Sequence, residues 1–162
     1  MKGDKIKYKG GYKYQLSEDY ILRANDPVYK TIAAYLKEKK LILTDATVAI
    51  IPDKPIVTQF LELDMQGNFL WRGGYAWDGA SGPTVDTLSI MRGSLVHDGG
   101  YQLLREGLIS MRYRLIFDCL LRYILIEDGA FKVRAWYWYI GVRKGGLKSS
   151  TCEGERKIII AP

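Results

Sequence analysis

The chain contains a single histidine, and its neighbours are of the kinds that take part in proton transfer. His97 opens a His-Asp-x-x-Tyr block that ends at Tyr101, and Asp118 follows 21 residues after the histidine. Histidine takes and returns a proton near neutral pH. A buried carboxylate can hold its ring in the tautomer that acts as a base. His97, Tyr101 and Asp118 are therefore candidate catalytic residues.

Oxygen-bearing residues accompany the histidine. Asp98 stands next to His97, and a glycine-containing loop with its own carboxylate begins at Asp78. Two carboxylates close to one histidine repel each other unless a cation lies nearby. Hard cations such as Ca²⁺ take carboxylate and carbonyl oxygens as ligands, so the pattern is compatible with a bound cation.

Three helical patterns are predicted to position these residues. The first runs from about Leu88 to Arg105 and ends at Gly107, the second covers about 110–127, and the third covers 131–145. His97 and Tyr101 are four residues apart and share one helical face. Because the connection between the first two helices is short, we expect them to pack antiparallel and to bring Asp118 alongside His97.

The N-terminal half has the alternation of apolar and polar residues that is typical of strands. We expect a hairpin within residues 1–24, a short helix at 31–39, and strands at 41–43, 48–51, 56–63 and 69–77. The last of these strands delivers the chain into the Asp78 loop. A final strand or tail is expected at 156–161.

The helical block resembles a known active site. The His97 block, with Asp118 on the next helix, resembles the bacterial and fungal branch of the calcium-dependent phospholipases A₂. Residues 134–143, with their aromatic side chains followed by a Val-Arg pair, resemble the last helix of that branch. The whole stretch also resembles an uncharacterised family of small bacteriophage proteins that carry the same Asp-Gly-Ala-Ser, His-Asp-x-x-Tyr and Arg-Ala-aromatic blocks. The resemblance covers about 75–146.

The resemblance implies a carboxylic ester hydrolase of phospholipase A₂ type, encoded by a phage. His97 would be the general base that activates a water molecule. Asp118 would orient the histidine, and the Tyr101 hydroxyl would bond to Asp118.

The resemblance also implies a calcium site. Asp98, the Asp78 carboxylate and the Gly79 carbonyl would hold Ca²⁺, which would polarise the ester carbonyl and stabilise the oxyanion. Asp86 is a further candidate ligand, although with Thr87 it is better explained as a helix cap.

The sequence departs from the phospholipase pattern at three positions. Ala80 and Ser94 stand where the bacterial enzymes have cysteines, so the disulfide between the loop and the helix is missing. Gly99 stands where those enzymes have an aromatic residue. Two adjacent glycines weaken a helix, but they can also clear space for a ligand or another backbone.

These departures leave a second interpretation open, in which the chain is a non-catalytic phage structural or accessory protein on the same fold. His97 and Asp118 would then be a buried packing pair. Arg122 or Arg105 could neutralise Asp118. A nucleic-acid-binding module ranks last, because the basic residues are scattered.

Composition bounds these alternatives. The chain has 162 residues with a net charge of +6, and nearly half of its residues are apolar, which is typical of a globular protein. Cys119 and Cys152 do not form a disulfide framework. No signal peptide or membrane span is predicted. We therefore expect a protein that is cytoplasmic in the producing cell or is incorporated in a virion.

The predicted fold class is α+β. A β-rich N-terminal layer (1–74) precedes a phospholipase A₂-like core of three helices (75–147) and a C-terminal tail (148–162). The β-rich half would dock to a phage particle or another protein. The aromatic third helix would cover the β layer or, alternatively, face a phospholipid surface.

Overall fold

The computed structural model of the protein describes residues 8–11, 13–42, 48–79, 87–147 and 150–151. Over these residues the fold is α+β, as predicted, with the strands in the N-terminal half and three of the four α-helices in the C-terminal half. In chain order the elements are β1 (Tyr8–Gly11), β2 (Lys13–Leu16), β3 (Tyr20–Leu22), α1 (Pro27–Glu38), β4 (Ile56–Val57), β5 (Leu61–Leu63), β6 (Phe69–Trp71), β7 (Ala76–Trp77), α2 (Leu88–Arg105), α3 (Arg114–Glu127) and α4 (Lys132–Gly145).

The strands form two small antiparallel sheets, ordered β1-β2-β7 and β3-β6-β5-β4. The predicted N-terminal hairpin is present as β1 and β2. Residues Tyr20–Leu22 also lie within the range predicted for the hairpin, but they pair with β6 in the second sheet. β7 pairs with β2, so the strand that leads to Asp78 is anchored to the N-terminal hairpin.

The other strand predictions also differ from the structure. The predicted strand at 69–77 is divided into β6 and β7, which lie in different sheets. Residues 48–51 form no strand, although Ile50 is fully buried, and the Ile51 carbonyl accepts a hydrogen bond from the Tyr113 hydroxyl. The predicted strand at 56–63 is split into β4 and β5 by a turn, because the Thr58 hydroxyl and backbone bond back to Leu61. Of the predicted 41–43 strand, residues 41 and 42 are irregular and residue 43 lies outside the described residues.

Helix α1 begins four residues earlier than predicted. The Asp26 side chain accepts a hydrogen bond from the Val28 backbone N–H at 2.9 Å, and Pro27 occupies the first helical position. An aspartate cap followed by proline is a favoured helix start. Asp26 and Pro27 therefore set the start of α1.

Helices α2, α3 and α4 are joined by two short connections. Gly107 (φ +68°) follows α2 and Gly129 (φ +94°) follows α3, and each has the left-handed backbone that glycine adopts at low cost. Paired hydrogen bonds close each helix end, for example from the Leu108 N–H to the Leu103 carbonyl. A single 3-10 turn at Met111–Tyr113 precedes α3, so the second predicted helix begins slightly later than expected. Successive helices pack against each other.

The two adjacent glycines of α2 have a packing role. A Cβ atom at Gly99 would lie 2.2 Å from Nε1 of Trp71, and one at Gly100 would lie 2.1 Å from the Phe117 ring. Both rings are fully buried. The space that the sequence offered to a ligand or backbone is filled by aromatic rings from β6 and α3.

Helix α4 has its main packing contact with α3. The sequence had instead favoured a contact between its aromatic face and the β layer. Trp138 and Tyr139 are buried, whereas Phe131, Val133, Trp136 and Tyr137 are exposed. Among the described residues, no helix is both long and apolar enough to cross a membrane. The predicted strand or tail at 156–161 lies outside the described residues.

Candidate functional site

The centre of the candidate site is a contact between α2 and α3. Nε2 of His97 lies 3.1 Å from Oδ1 of Asp118. The histidine side chain is only 9% exposed, and the Asp118 side chain is fully buried. The antiparallel packing predicted from the short connection therefore brings these two residues together.

Tyr101 completes the contact from the same face of α2. Its hydroxyl donates to Oδ1 of Asp118 at 2.7 Å, and its ring lies 4.0 Å from the His97 ring, centre to centre. Nε of Arg114 donates to the Tyr101 oxygen at 3.1 Å. The same arginine donates through Nη2 to the carbonyls of Val142 and Arg143, so it fastens the end of α4 to the site.

A second arginine neutralises Asp118, and it is not one of the two that the sequence suggested. Nη1 of Arg143 donates to Oδ2 of Asp118 at 2.7 Å. Arg122 instead lies among tyrosine rings. Arg105 contributes to the electrostatic surroundings of Asp98. The carboxylate of Asp118 thus accepts hydrogen bonds on both oxygens.

These contacts shift the ionisation of both partners. Burial alone would raise the pKa of Asp118, but hydrogen bonds from His97, Arg143 and Tyr101 outweigh burial and lower it. Burial alone would lower the pKa of His97, but Asp118 and Asp98 raise it. Asp118 is therefore held as a carboxylate beside a histidine that binds protons more tightly than usual.

Asp98 lies on the other side of the histidine ring. Its Oδ1 is 3.6 Å from Nδ1 of His97, and its side chain is 31% exposed. The protein packed around Asp98 raises the pKa of its carboxyl group by burial, His97 lowers it, and the charge of Asp78 raises it further. The negative charge of Asp78 therefore acts on Asp98.

The calcium-loop candidate begins directly after β7. Asp78 is exposed, and Gly79 is buried with a φ of +71°. Asp78, Asp98 and the Gly79 carbonyl offer the oxygen donors that Ca²⁺ prefers. No cluster of three or more His, Cys, Asp or Glu side chains suited to a metal occurs in the described part of the chain. Carbonyl groups and water would have to complete the coordination. Ala80 and Asp86 lie outside the described residues.

A hydrogen bond connects the loop strand to α2 at one of the positions where the bacterial enzymes have a cysteine. Nε1 of Trp77 donates to the Ser94 hydroxyl at 3.1 Å, and that hydroxyl donates to the Met91 carbonyl at 3.0 Å. Both side chains are buried. A buried hydrogen bond of this kind fixes β7 against the helix that carries His97.

Sequence reasoning named His97, Tyr101 and Asp118 but missed Arg143 as their partner. A signal was present, because α3 and α4 are also joined by a short connection. Asp118 lies 12 residues before Ala130 and Arg143 lies 13 after it. Antiparallel helices place such residues opposite each other, as they do His97 and Asp118 about Gly107.

Comparisons with protein-family models, with curated proteins and with solved structures gave no match to this chain, so its resemblance to the phospholipases A₂ rests on the residues described above.

Proposed function

We propose that this protein is a calcium-dependent carboxylic ester hydrolase of phospholipase A₂ type. The observation that carries the proposal is the buried contact between Nε2 of His97 and Oδ1 of Asp118. A carboxylate that accepts from Nε2–H leaves the lone pair of the neutral imidazole on Nδ1. Nδ1 is the atom on the side of Asp98, where a water molecule would lose its proton to the histidine.

The surrounding side chains act as positioning residues in this proposal. Tyr101 and Arg143 fill the remaining hydrogen-bonding capacity of Asp118 and keep it ionised. Arg114 holds the Tyr101 hydroxyl. Because Asp118 stays charged and fixed, it stabilises the imidazolium that forms when His97 takes a proton.

Asp98, Asp78 and the Gly79 carbonyl would hold Ca²⁺. When bound, the ion would polarise the ester carbonyl and stabilise the developing oxyanion. A cation there would also offset the mutual repulsion of the two carboxylates.

The substrate proposed here is a phospholipid at a membrane surface. Phe131 is 84% exposed and Trp136 is 51% exposed on α4, next to the basic residues Lys132 and Arg134. Aromatic and basic side chains suit the interface between lipid and water.

By its sequence resemblance the protein would be phage-encoded. It would act in the cytoplasm of the producing cell or as part of a virion, and the β-rich half would dock to the particle or to another protein.

One observation favours a second candidate, a non-catalytic structural or accessory protein. Asp118 is already neutralised by Arg143, and the raised pKa of His97 favours a histidinium that bridges Asp98 and Asp118. Such a closed network would fix the packing of α2, α3 and α4 without chemistry.

Fatty-acid release from mixed phospholipid vesicles distinguishes the two candidates. It would be measured with added Ca²⁺ and with a chelator, for wild type, His97→Ala and Asp98→Asn. The matched control is Asp53→Asn, which removes an exposed carboxylate that is not part of the candidate site. Hydrolysis that needs Ca²⁺, His97 and Asp98 but not Asp53 supports the hydrolase. Absence of hydrolysis in folded wild-type protein supports the structural candidate.

A further inference from the structure

Arg122 lies within a cluster of three tyrosine rings where α1, α3 and α4 meet. Its guanidinium carbon is 5.0 Å from the ring centre of Tyr35, 5.2 Å from that of Tyr123 and 5.6 Å from that of Tyr139. The ring of Tyr35 in turn contacts the other two edge-on. Cations at such distances are attracted by aromatic faces, so the rings hold the guanidinium in place.

The guanidinium has no acceptor within the described part of the chain. Arg92, Arg114 and Arg143 each donate to a carboxylate, a hydroxyl or a carbonyl. Arg122 makes no such bond there, and its Nε is buried without a partner. Nε is the one nitrogen of Arg122 that is buried without a hydrogen-bond partner. The two terminal nitrogens also lack a partner in the described part of the chain but are not buried, so they reach the surface.

The acidic residue nearest to Arg122 along α3 is paired with other residues. Asp118, one helical turn earlier, is engaged by His97 and Arg143. Burial raises the pKa of both Tyr123 and Tyr139. The tyrosines therefore stay protonated and neutral, and their hydroxyls remain hydrogen-bond donors.

We propose that Arg122, with Tyr35, Tyr123 and Tyr139, forms a binding site for a phosphate group. A guanidinium presents its terminal N–H groups as a rigid fork that matches two phosphate oxygens. The rings hold the fork in one orientation before any ligand arrives, which lowers the entropic cost of binding. The Lys39 ammonium lies at the edge of the site, 6.0 Å from the Tyr35 ring centre, and is paired there with Glu38 at 3.0 Å.

The phosphate can belong to a free phosphate compound or to a phospholipid headgroup, since both present the same oxygens. The site is separate from the His97 contact and does not depend on ester hydrolysis. Arg122 lies against Tyr35 of α1, whereas Asp118, one turn earlier on α3, contacts His97 of α2 and Arg143 of α4.

The side-chain Nε–H signal of Arg122 provides a direct test by NMR, because a buried N–H exchanges slowly. Wild type would be titrated with inorganic phosphate at constant pH and ionic strength, with acetate and chloride as matched salts. Arg114 is an internal control: it is buried and lies 6.0 Å from a tyrosine ring centre, but its Nε donates to the hydroxyl of that tyrosine, Tyr101. We expect a saturable shift at Arg122 with phosphate only, and no saturable shift at Arg114.

Variants test the roles of the fork and of the hydroxyls. Arg122→Gln should weaken phosphate binding about tenfold or more, and Arg122→Lys should weaken it because the charge remains without the fork. Tyr123→Phe keeps the ring and loses one donor, so it should give a smaller loss. This variant also retains the packing if Arg122→Gln does not fold.

Vesicles of phosphatidylcholine with and without phosphatidic acid identify the source of the phosphate. Cosedimentation that phosphatidic acid increases and Arg122→Gln reduces assigns a lipid headgroup. A saturable shift with inorganic phosphate and no such cosedimentation assigns a free phosphate compound. Equal shifts with phosphate, acetate and chloride, or no saturable shift at Arg122, would overturn the proposal.

Discussion

Arg143 donates from Nη1 to Oδ2 of Asp118 across 2.7 Å, and this contact joins the last described helix to the candidate site. Asp118 on α3 also accepts from His97 and Tyr101 on α2. One buried carboxylate therefore ties three helices together. The geometry around His97 therefore depends on α4 as well as on α2, which carries the histidine.

Replacing Arg143 should destabilise the protein and disturb the histidine. Arg143→Gln removes the charged donor to Oδ2 of a buried carboxylate. We expect a loss of about 2 kcal/mol, which is below the cost of breaking a fully buried ion pair because Arg143 itself is partly exposed. Urea unfolding measures the loss. Lys144→Gln, on the exposed side of the same helix end, removes the same charge and should change stability little. Equal losses in both variants would show that the contact with Asp118 contributes nothing specific.

A glycine of α2 and a glycine of α4 predict opposite effects on stability for the same Gly→Ala substitution. Gly100→Ala places a methyl group against the Phe117 ring, and we expect a loss of about 2 kcal/mol or more. Gly141→Ala, in α4, meets no atom within 4 Å and should stabilise by about 0.5–1 kcal/mol, because alanine favours helix. Thermal and urea unfolding of the two variants check the sign of each change.

The ionisation of Asp118 predicts an acid-dependent loss of stability. Hydrogen bonds lower the pKa of this carboxyl in the folded chain. A carboxyl group whose pKa is lowered in the folded state stabilises the fold at pH values above its unfolded pKa of about 3.9. This stabilisation is lost as the pH falls through the folded pKa. We expect the free energy of unfolding of wild type to fall more steeply below about pH 4 than that of Asp118→Asn. Asp53→Asn should keep the wild-type slope.

The hydrogen bond between Trp77 and Ser94 should show measurable coupling. Ser94→Ala removes the acceptor of a buried indole N–H, and we expect a loss of about 1 kcal/mol. A double-mutant cycle with Trp77→Phe isolates the bond from the packing of the ring. A coupling energy near zero would mean that β7 is held against α2 by packing alone.

Periodicity alone predicted the helices that carry the site. Gly107 marks a helix end in the sequence, and the short connection that follows it allows only antiparallel packing. That reasoning placed His97 beside Asp118, as the structure does. Local signals sufficed here because the pattern of apolar residues and the helix end agree with the tertiary fold.

The remaining differences come from a local turn and from contacts between residues that are far apart in the sequence. Thr58 bonds to Leu61 and splits a continuous apolar alternation into two strands. Residues 48–50 are buried without joining a sheet. Asp118 pairs with Arg143 and not with Arg122 because of the way in which α4 packs on α3. Spacing within α3 favours Arg122, four residues away, whereas the fold directs that side chain to the tyrosines.

The short connections after Gly107 and Gly129 have a consequence for how the chain tolerates changes in length. One extra residue between α2 and α3 would turn α3 by about 100° and shift it by about 1.5 Å relative to α2. Asp118 would then leave His97, although every residue of the site was still present. The connections therefore set the register of the site, and insertions and deletions will be tolerated in the loops of the sheets far better than at these two positions.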